Sequence, residues 1–370
     1  MRLLRRLRLR ASGLLRHPRV RASGLLGRLR LQASGLLRPP RLPASGLLRR
    51  PHLPASGHDW TIRDVPVDGP RLQPVSDLLY ARLRPEDAAA VRETLAGPSL
   101  DLWAQTAEPY RKTLVLCFGV WNRVPGVLER TGLSPAEPPP DVHAMARGPL
   151  AAGGDYYSAD IVAEALANAG GDIAQVRRAL DFGCSSGRTL RPLAAAHPDV
   201  EWHGTDPNRD AIAWAAANLT GVRFAVSGTE PGLAFPDAHF DLVFAISIWS
   251  HFGEGAAQRW LGEMRRLIAP GGHLVMTVHG PQSVAYYGSH RQRPAAQLDE
   301  IVAALHRRGF WYAPEFGESG DYGVVHPEWG TAFMSPEWIL RTCTPAWHVA
   351  SYAVGRNAEN QDVVVLRRMP

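Results

Sequence analysis

Between Arg178 and Arg368, short apolar runs recur along the chain, separated by stretches whose apolar residues fall three and four apart. "RALDFG" (178–183), "VEWHGT" (200–205), "VRFAV" (222–226), "DLVFAIS" (241–247) and "GHLVMTV" (272–278) have the length and residue types of strands. Segments such as "RDAIAWAAANL" and "AAQRWLGEMRRLI" lie between them with helical spacing, and "WHVASYAVG" and "DVVVLRR" form a closing strand pair. This alternation signals βαβ units. It predicts an α/β fold over residues 151–370: a doubly wound, mostly parallel, seven-stranded Rossmann-like sheet.

Upstream the period is helical. "SDLLYARL", "PEDAAAVRETL" and "PYRKTLVLCFGVWNRVPGVLERTGL" fall within residues 72–135, and Pro85 followed by Glu86 and Asp87 is a strong helix start. "SPAEPPPDV" at 134–142 reads as a linker. Residues 58–150 are therefore expected to be a helical N-terminal region ahead of the sheet. Residues 1–57 differ again, with "ASGLL" starting at Ala11, Ala22, Ala33 and Ala44 and "ASG" at Ala55. The Ser-Gly pairs and the prolines at 18, 39, 40, 43, 51 and 54 oppose any long helix, so this stretch is expected to be a low-complexity, disordered tail. An Arg-rich arm, a transit peptide, or repeated DNA translated ahead of the true start would each give such a pattern.

Charge sharpens this division. The formal net charge of +6 comes from the tail, which holds 14 arginines and no acid; the remaining 27 Lys and Arg face 35 Asp and Glu, a net of −8. An acidic folded part argues against a nucleic-acid partner. No apolar run approaches the roughly 18 residues of a membrane span. Cys117, Cys184 and Cys343 make no CxxC pair and have no companion histidines at ligand spacing, which predicts a reducing, cytoplasmic setting and no metal site.

The chemistry concentrates in "LDFGCSSGRTL" (180–190). Glycines here let the chain turn sharply against a ligand, and the helix that follows offers free N–H groups to an anion. A nicotinamide turn would read GxGxxG, but position 185 is Ser; a kinase reading of Asp181-Phe182-Gly183 fails because the chain's one lysine is Lys112. Cys184 reads as a small turn filler before it reads as a nucleophile, since no histidine is near it in sequence. Asp206 in "WHGTDPN" follows Gly187 by 19 residues, matching the offset of about 20 for a carboxylate that accepts from ribose hydroxyls.

Taken in order, "ALDFGCSSG", "WHGTDPN", "FPDAHFDLVFAISIWSHF" and "EMRRLIAPGGHLVMTVHG" resemble the class I S-adenosylmethionine-dependent methyltransferases over about residues 150–370. The resemblance implies S-adenosyl-L-methionine as cofactor. It places Asp181, Gly183, Cys184 and Gly187 at its methionine end and Asp206 with Pro207 at the ribose. Ile246 and Ser247 fall beside the adenine and the reacting methyl. Many relatives carry an aspartate after the third strand for the adenine; this chain has "VSGTEPGLAF", leaving Gly228, Thr229 or Glu230 for that role. His251 and His279, after the fourth and fifth strands, are the candidate catalytic bases. Each has a competing reading as a pocket-shaping residue.

Residues 280–330 contain "AYYGSH", "GFWYAPEFGESGDYG" and "HPEWG", expected to form a lid-like insertion in which Tyr286, Tyr287, Trp311 and Tyr312 either stack on substrate or pack on the sheet. The expected activity is O-methylation of a small molecule or saccharide. A nucleic-acid or protein methyltransferase using the basic tail is the alternative, and a non-catalytic cofactor-binding protein a third reading. The adenine contact, the acceptor atom and the oligomeric state stay open.

Overall fold

The computed structural model describes residues 72–144, 147–149, 156–316, 320–321 and 324–370; the expectations for residues 1–57 and for 58–71 lie outside them. Five helices come first: α1 (Pro74–Tyr80), α2 (Pro85–Glu93), α3 (Pro98–Gln105), α4 (Arg111–Trp121) and α5 (Pro125–Thr131). Pro85 stands in the first turn of α2, where its missing N–H leaves no bond unmade. The Asp87 carboxylate accepts from the Arg84 N–H at 2.8 Å and pairs with Arg130, also at 2.8 Å. That backbone bond is the main reason its pKa lies below the usual carboxylate value.

Next comes α6 (Tyr156–Asn168), and then β1 (Arg178–Phe182), α7 (Leu190–Ala196), β2 (Glu201–Asp206), α8 (Arg209–Asn218), β3 (Val222–Val226), β4 (Phe240–Ala245), α9 (Glu254–Leu267) and β5 (Ile268–Val278). β8 (Trp347–Asn357) and β9 (Gln361–Arg368) close the chain. The seven strands lie in the order β3-β2-β1-β4-β5-β9-β8. The first five run parallel, and β9 is antiparallel to both of its neighbours. This is the doubly wound, mostly parallel seven-stranded sheet that the periodicity predicts. β4 and the C-terminal half of β5 are almost wholly buried because helices cover both faces, which is why they read as apolar runs. One core packs the N-terminal helices and α6 on one face; the other packs α9, Trp329 and Trp338 on the opposite face.

The stretch expected as an aromatic lid contains regular structure. It holds α10 (Pro281–Ser289), α11 (Ala295–Arg308) and β6 (Phe310–Ala313), which pairs antiparallel with β7 (Thr331–Met334); α12 (Pro336–Cys343) follows. Residues 317–319 and 322–323 of it lie outside the described residues.

Buried polar contacts dock the N-terminal helices. The fully buried Asp160 on α6 accepts from Val75 N–H (2.9 Å), Ser76 N–H (3.0 Å) and Ser76 Oγ (2.8 Å), satisfying free donors at the start of α1. Arg82 donates to the carbonyls of Ala195 and Ala196 at the end of α7, both at 2.8 Å. Arg191, whose pKa burial lowers to about 10, donates to the carbonyls of Ser134 and Ala136 and so anchors the proline-rich linker. Deeper still, Glu164 and Arg356 form a two-pronged ion pair joining α6 to β8. Replacing Asp160 by Ala should destabilise the protein by about 2–4 kcal/mol, because charge-assisted bonds and the helix cap are lost together. Urea unfolding monitored by far-UV circular dichroism measures this, and a change below about 0.5 kcal/mol would remove Asp160 from that role.

Candidate active site

The carboxyl ends of β1, β2, β3, β4 and β5 open on one cavity of about 380 Å³. In a doubly wound sheet this edge, where the strand order reverses, is where a ligand fits. The turn after β1 forms its floor. Gly183 (φ +86°) and Gly187 (φ +77°) take left-handed conformations, and an added Cβ at Gly187 would come within 2.9 Å of both Leu219 and Phe224. Gly187 is therefore a packing requirement of the turn and is not among the lining residues; Asp181, Gly183, Cys184 and Ser185 are.

Asp206, 9% exposed at the end of β2, braces this turn. Its Oδ2 accepts from the Ser185 N–H and its Oδ1 from the Asn208 N–H, each at 2.8 Å. Burial raises its pKa, and those two backbone bonds pull against the rise. Gly183 and Cys184 N–H both donate to the Thr205 carbonyl, at 2.8 and 3.0 Å, so β1 and β2 leave the sheet as one unit. Cys184 lines the cavity from a buried position, and burial followed by the charges of Asp181 and Asp206 pushes its thiol well above the usual range. It is an un-ionised filler, packed where an added Cβ on Gly204 would come within 2.8 Å of its Sγ.

The residues present fit the cofactor that the sequence resemblance implies. A carboxylate has about four acceptor sites and Asp206 uses two on its own backbone, leaving two for vicinal hydroxyls. Ser185 and Ser227, both lining residues, have hydroxyls with no hydrogen-bond partner. Pro207, Gly228 and Thr229 line the cavity as well. Glu230 is not among the lining residues; it pairs with His326 at 2.8 Å and with Arg259 at 3.3 Å. Its side chain thus ties the loop after β3 to the insertion.

The second half of the cavity lies beyond β4 and β5, where Ile246 and Ser247 are lining residues. Ser247 adopts φ +60°, donates from N to Thr277 Oγ1 (2.7 Å) and from Oγ to Gln361 Oε1 (3.0 Å). His251 stacks on Trp329 with centroids 4.8 Å apart, its Nδ1 2.8 Å from the Gly330 carbonyl. His279 is buried, with Nδ1 3.1 Å from the Ala332 carbonyl and Nε2 3.3 Å from both Tyr287 Oη and Gln361 Nε2. Burial, then the neighbouring His251, lowers its pKa to about 3. His279 is a neutral ring with both nitrogens engaged.

Of the four aromatics singled out in the insertion, Tyr287 is a lining residue. Tyr286 stacks on His290 at 4.0 Å, Trp311 donates to Glu300 at 3.0 Å and packs on Phe333, and Tyr312 donates to the Pro327 carbonyl at 3.0 Å. Two groups of lining residues escaped sequence reading. Thr113 and Cys117 of α4, His143, and Tyr156, Tyr157 and Ser158 at the start of α6 form one; Asn357, Ala358, Asn360 and Gln361 in the β8–β9 turn form the other. The polar "RNAENQ" between two apolar runs was the available signal for the second. The first carries none, because only tertiary packing brings α4 over the sheet edge.

Residues 179–272 match the methyltransferase domain family. The chain is 31% identical over 190 residues to a demethylmenaquinone methyltransferase of Deinococcus radiodurans, covering 48% of this chain and 68% of that protein. Among solved structures, the PH0226 protein of Pyrococcus horikoshii aligns with a TM-score of 0.40 at 16% identity, over 58% of this chain and 91% of its own. A SAM-dependent methyltransferase of Methanosarcina mazei aligns at 0.38 and 18% identity, over 52% and 92%.

Asp206→Ala should weaken binding of S-adenosylhomocysteine by roughly 10- to 100-fold, the loss expected for hydrogen bonds to a charged acceptor. Isothermal titration calorimetry measures it, and an unchanged affinity would separate Asp206 from the cofactor. Cys184 should also resist alkylation by iodoacetamide at pH 8 in the folded protein and react once urea is added, as peptide mass mapping would show.

Proposed function

This chain belongs to the class I S-adenosylmethionine-dependent methyltransferases, and on that premise we propose that it methylates a hydroxyl oxygen of an uncharged small molecule or saccharide. The observation that carries the proposal is the make-up of the half-cavity beyond β4 and β5. Its walls are Ile248, Phe252, Val324 and Trp329 with His251 and the neutral His279, and Arg188, on the β1 turn, is the one Arg or Lys among the lining residues described. An anionic acceptor would find no fixed cation there. A flat or sugar-like body would find aromatic faces.

S-adenosylmethionine supplies both the methyl group and a good leaving group, so the chain's own residues have a limited task. They must hold the acceptor in line, keep water out and take the proton the hydroxyl loses as the oxygen–methyl bond forms and the methyl–sulfur bond breaks, a task that falls to His251, a lining residue after β4. Enclosure comes from two sides: α4 and α6 contribute Thr113, Cys117 and Tyr156, and the insertion contributes Val324, His326 and Trp329. A cavity closed in this way suits a small acceptor better than a duplex or a folded protein surface. The Deinococcus relative's name specifies demethylmenaquinone.

The test is methyl transfer from tritiated S-adenosylmethionine by the full chain, offered phenols, glycosides, duplex DNA, RNA and histone peptides side by side. Label is expected in the neutral hydroxylated small molecules. Label in nucleic acid, falling steeply as salt rises, would replace this reading with that of a nucleic-acid enzyme using the arginine-rich tail.

A further inference from the structure

His251 is held by the insertion, through its backbone first. Gly253 N–H donates to the Glu328 carbonyl, Gly330 N–H to the His251 carbonyl and Ala332 N–H to the Ser250 carbonyl, each at 2.8 Å, so residues 328–332 run antiparallel beside residues 250–253. The same stretch reaches the side chain. The Gly330 carbonyl lies 2.8 Å from His251 Nδ1, and because a carbonyl oxygen only accepts, it puts the hydrogen of the neutral ring on Nδ1 and the lone pair on Nε2. An added Cβ at Gly330 would collide with the Ala313 carbonyl oxygen of β6, so the segment leaves no room for a side chain there.

Aromatic rings complete these surroundings. Trp329 stacks on His251 with ring centroids 4.8 Å apart and planes at 30°, and the Phe316 ring lies 5.6 Å away at 46°. Trp329 is itself fixed, since it is 9% exposed and stands edge-on to Phe252 at 5.5 Å. A cation within about 6 Å of an indole centroid is attracted by the electron-rich face, and indole is the strongest of the aromatic partners. Neutral imidazole gains little from that attraction. Imidazolium gains it in full.

In the transfer proposed for this cavity, the oxygen–methyl bond forms from a lone pair of the hydroxyl, the methyl–sulfur bond breaks with its electron pair on sulfur, and the hydroxyl proton passes to His251. Positive charge that begins on the sulfonium thus ends on the imidazole. We infer that Trp329 and Gly330 are positioning residues for this base: the Gly330 carbonyl keeps its lone pair on Nε2, and the Trp329 ring stabilises the imidazolium that forms when it takes the proton. The inference rests on the reading of His251 as the proton acceptor. The titratable and charged groups that neighbouring elements bring near are His279 after β5, the Arg293–Glu315 pair, and His326 and Glu328 with their partners Glu230 and Arg259. None of them is altered by a change of electron density in the Trp329 ring, which makes that density the variable to test.

Mono-, di- and tetrafluorotryptophan placed at position 329 of the full chain by amber suppression withdraw electrons from the ring with little change in its shape. The 15N resonances of His251, assigned by their loss in His251→Gln, are then followed against pH. The midpoint of protonation should fall stepwise along the series, by about 0.5 to 1 in total, the worth of one cation–π contact. Loss of packing alone would not grade with fluorine number. The neutral ring should show its hydrogen on Nδ1. A midpoint that stays put along the series overturns the inference, and so does a neutral ring with its hydrogen on Nε2. The titration needs no acceptor, which keeps it apart from the reading beneath it: methyl transfer by His251→Gln at the wild-type rate would overturn the assignment of His251 as the base.

Discussion

The carboxylate of Asp206 is the constraint on which the cofactor side of the molecule depends. One oxygen holds the Ser185 N–H of the β1 turn and the other holds the Asn208 N–H that starts α8, so a single side chain fixes two turns from adjacent strands. Removing a carboxylate from water is costly unless donors replace the solvent. Two backbone N–H groups do so here, and they hold Ser185 in a left-handed conformation (φ +48°) that a residue with a Cβ avoids when left to itself. The rest of the floor follows from that geometry.

The strain is placed in the same way elsewhere around the cavity. Ser185, Ser247 and Ala358 are lining residues with positive φ and no glycine freedom. Each such residue costs on the order of 1–3 kcal/mol and persists only where surrounding bonds outweigh it. For Ser247 those bonds come from Thr277 and Gln361; for Ala358, from Tyr157. Ala358 and Glu359 (φ +57° and +56°) make a two-residue turn of the kind normally built from Asn-Gly, and the Asn357–Gln361 side-chain bond closes it.

How much of this was legible in the sequence depends on the range of the forces involved. The strands, their count and their parallel sense follow from local apolar periodicity, and the β1 turn with Asp206 follows from a spacing that the βαβ unit itself dictates. The small β6–β7 sheet was hidden because "FWYA" and "TAFM" are separated by 17 residues rich in Gly and Pro and read as loop. Gln361 was hidden more deeply. A polar residue at the head of an apolar strand looks like a strand end, and its five hydrogen-bonding partners come from three different segments of the chain. His279 was legible as a residue of the site but not in its protonation, because its low basicity comes from burial that no local window records.

That low basicity fits the electrostatics of the reaction. The cofactor of this family is a sulfonium cation, and among the described residues the fixed charges lining the cavity are the carboxylates of Asp181 and Asp206 and the guanidinium of Arg188. A protonated imidazole at the ends of β4 and β5 would add a like charge inside an enclosed space, where screening by water is weak. A histidine with a pKa of about 3 stays uncharged throughout the physiological range. Folding carries the consequence with a definite sign. The unfolded chain would protonate His279 near pH 6.5 and the folded chain only near 3, so the native state loses stability as pH falls between those values and gains nothing from this group above them.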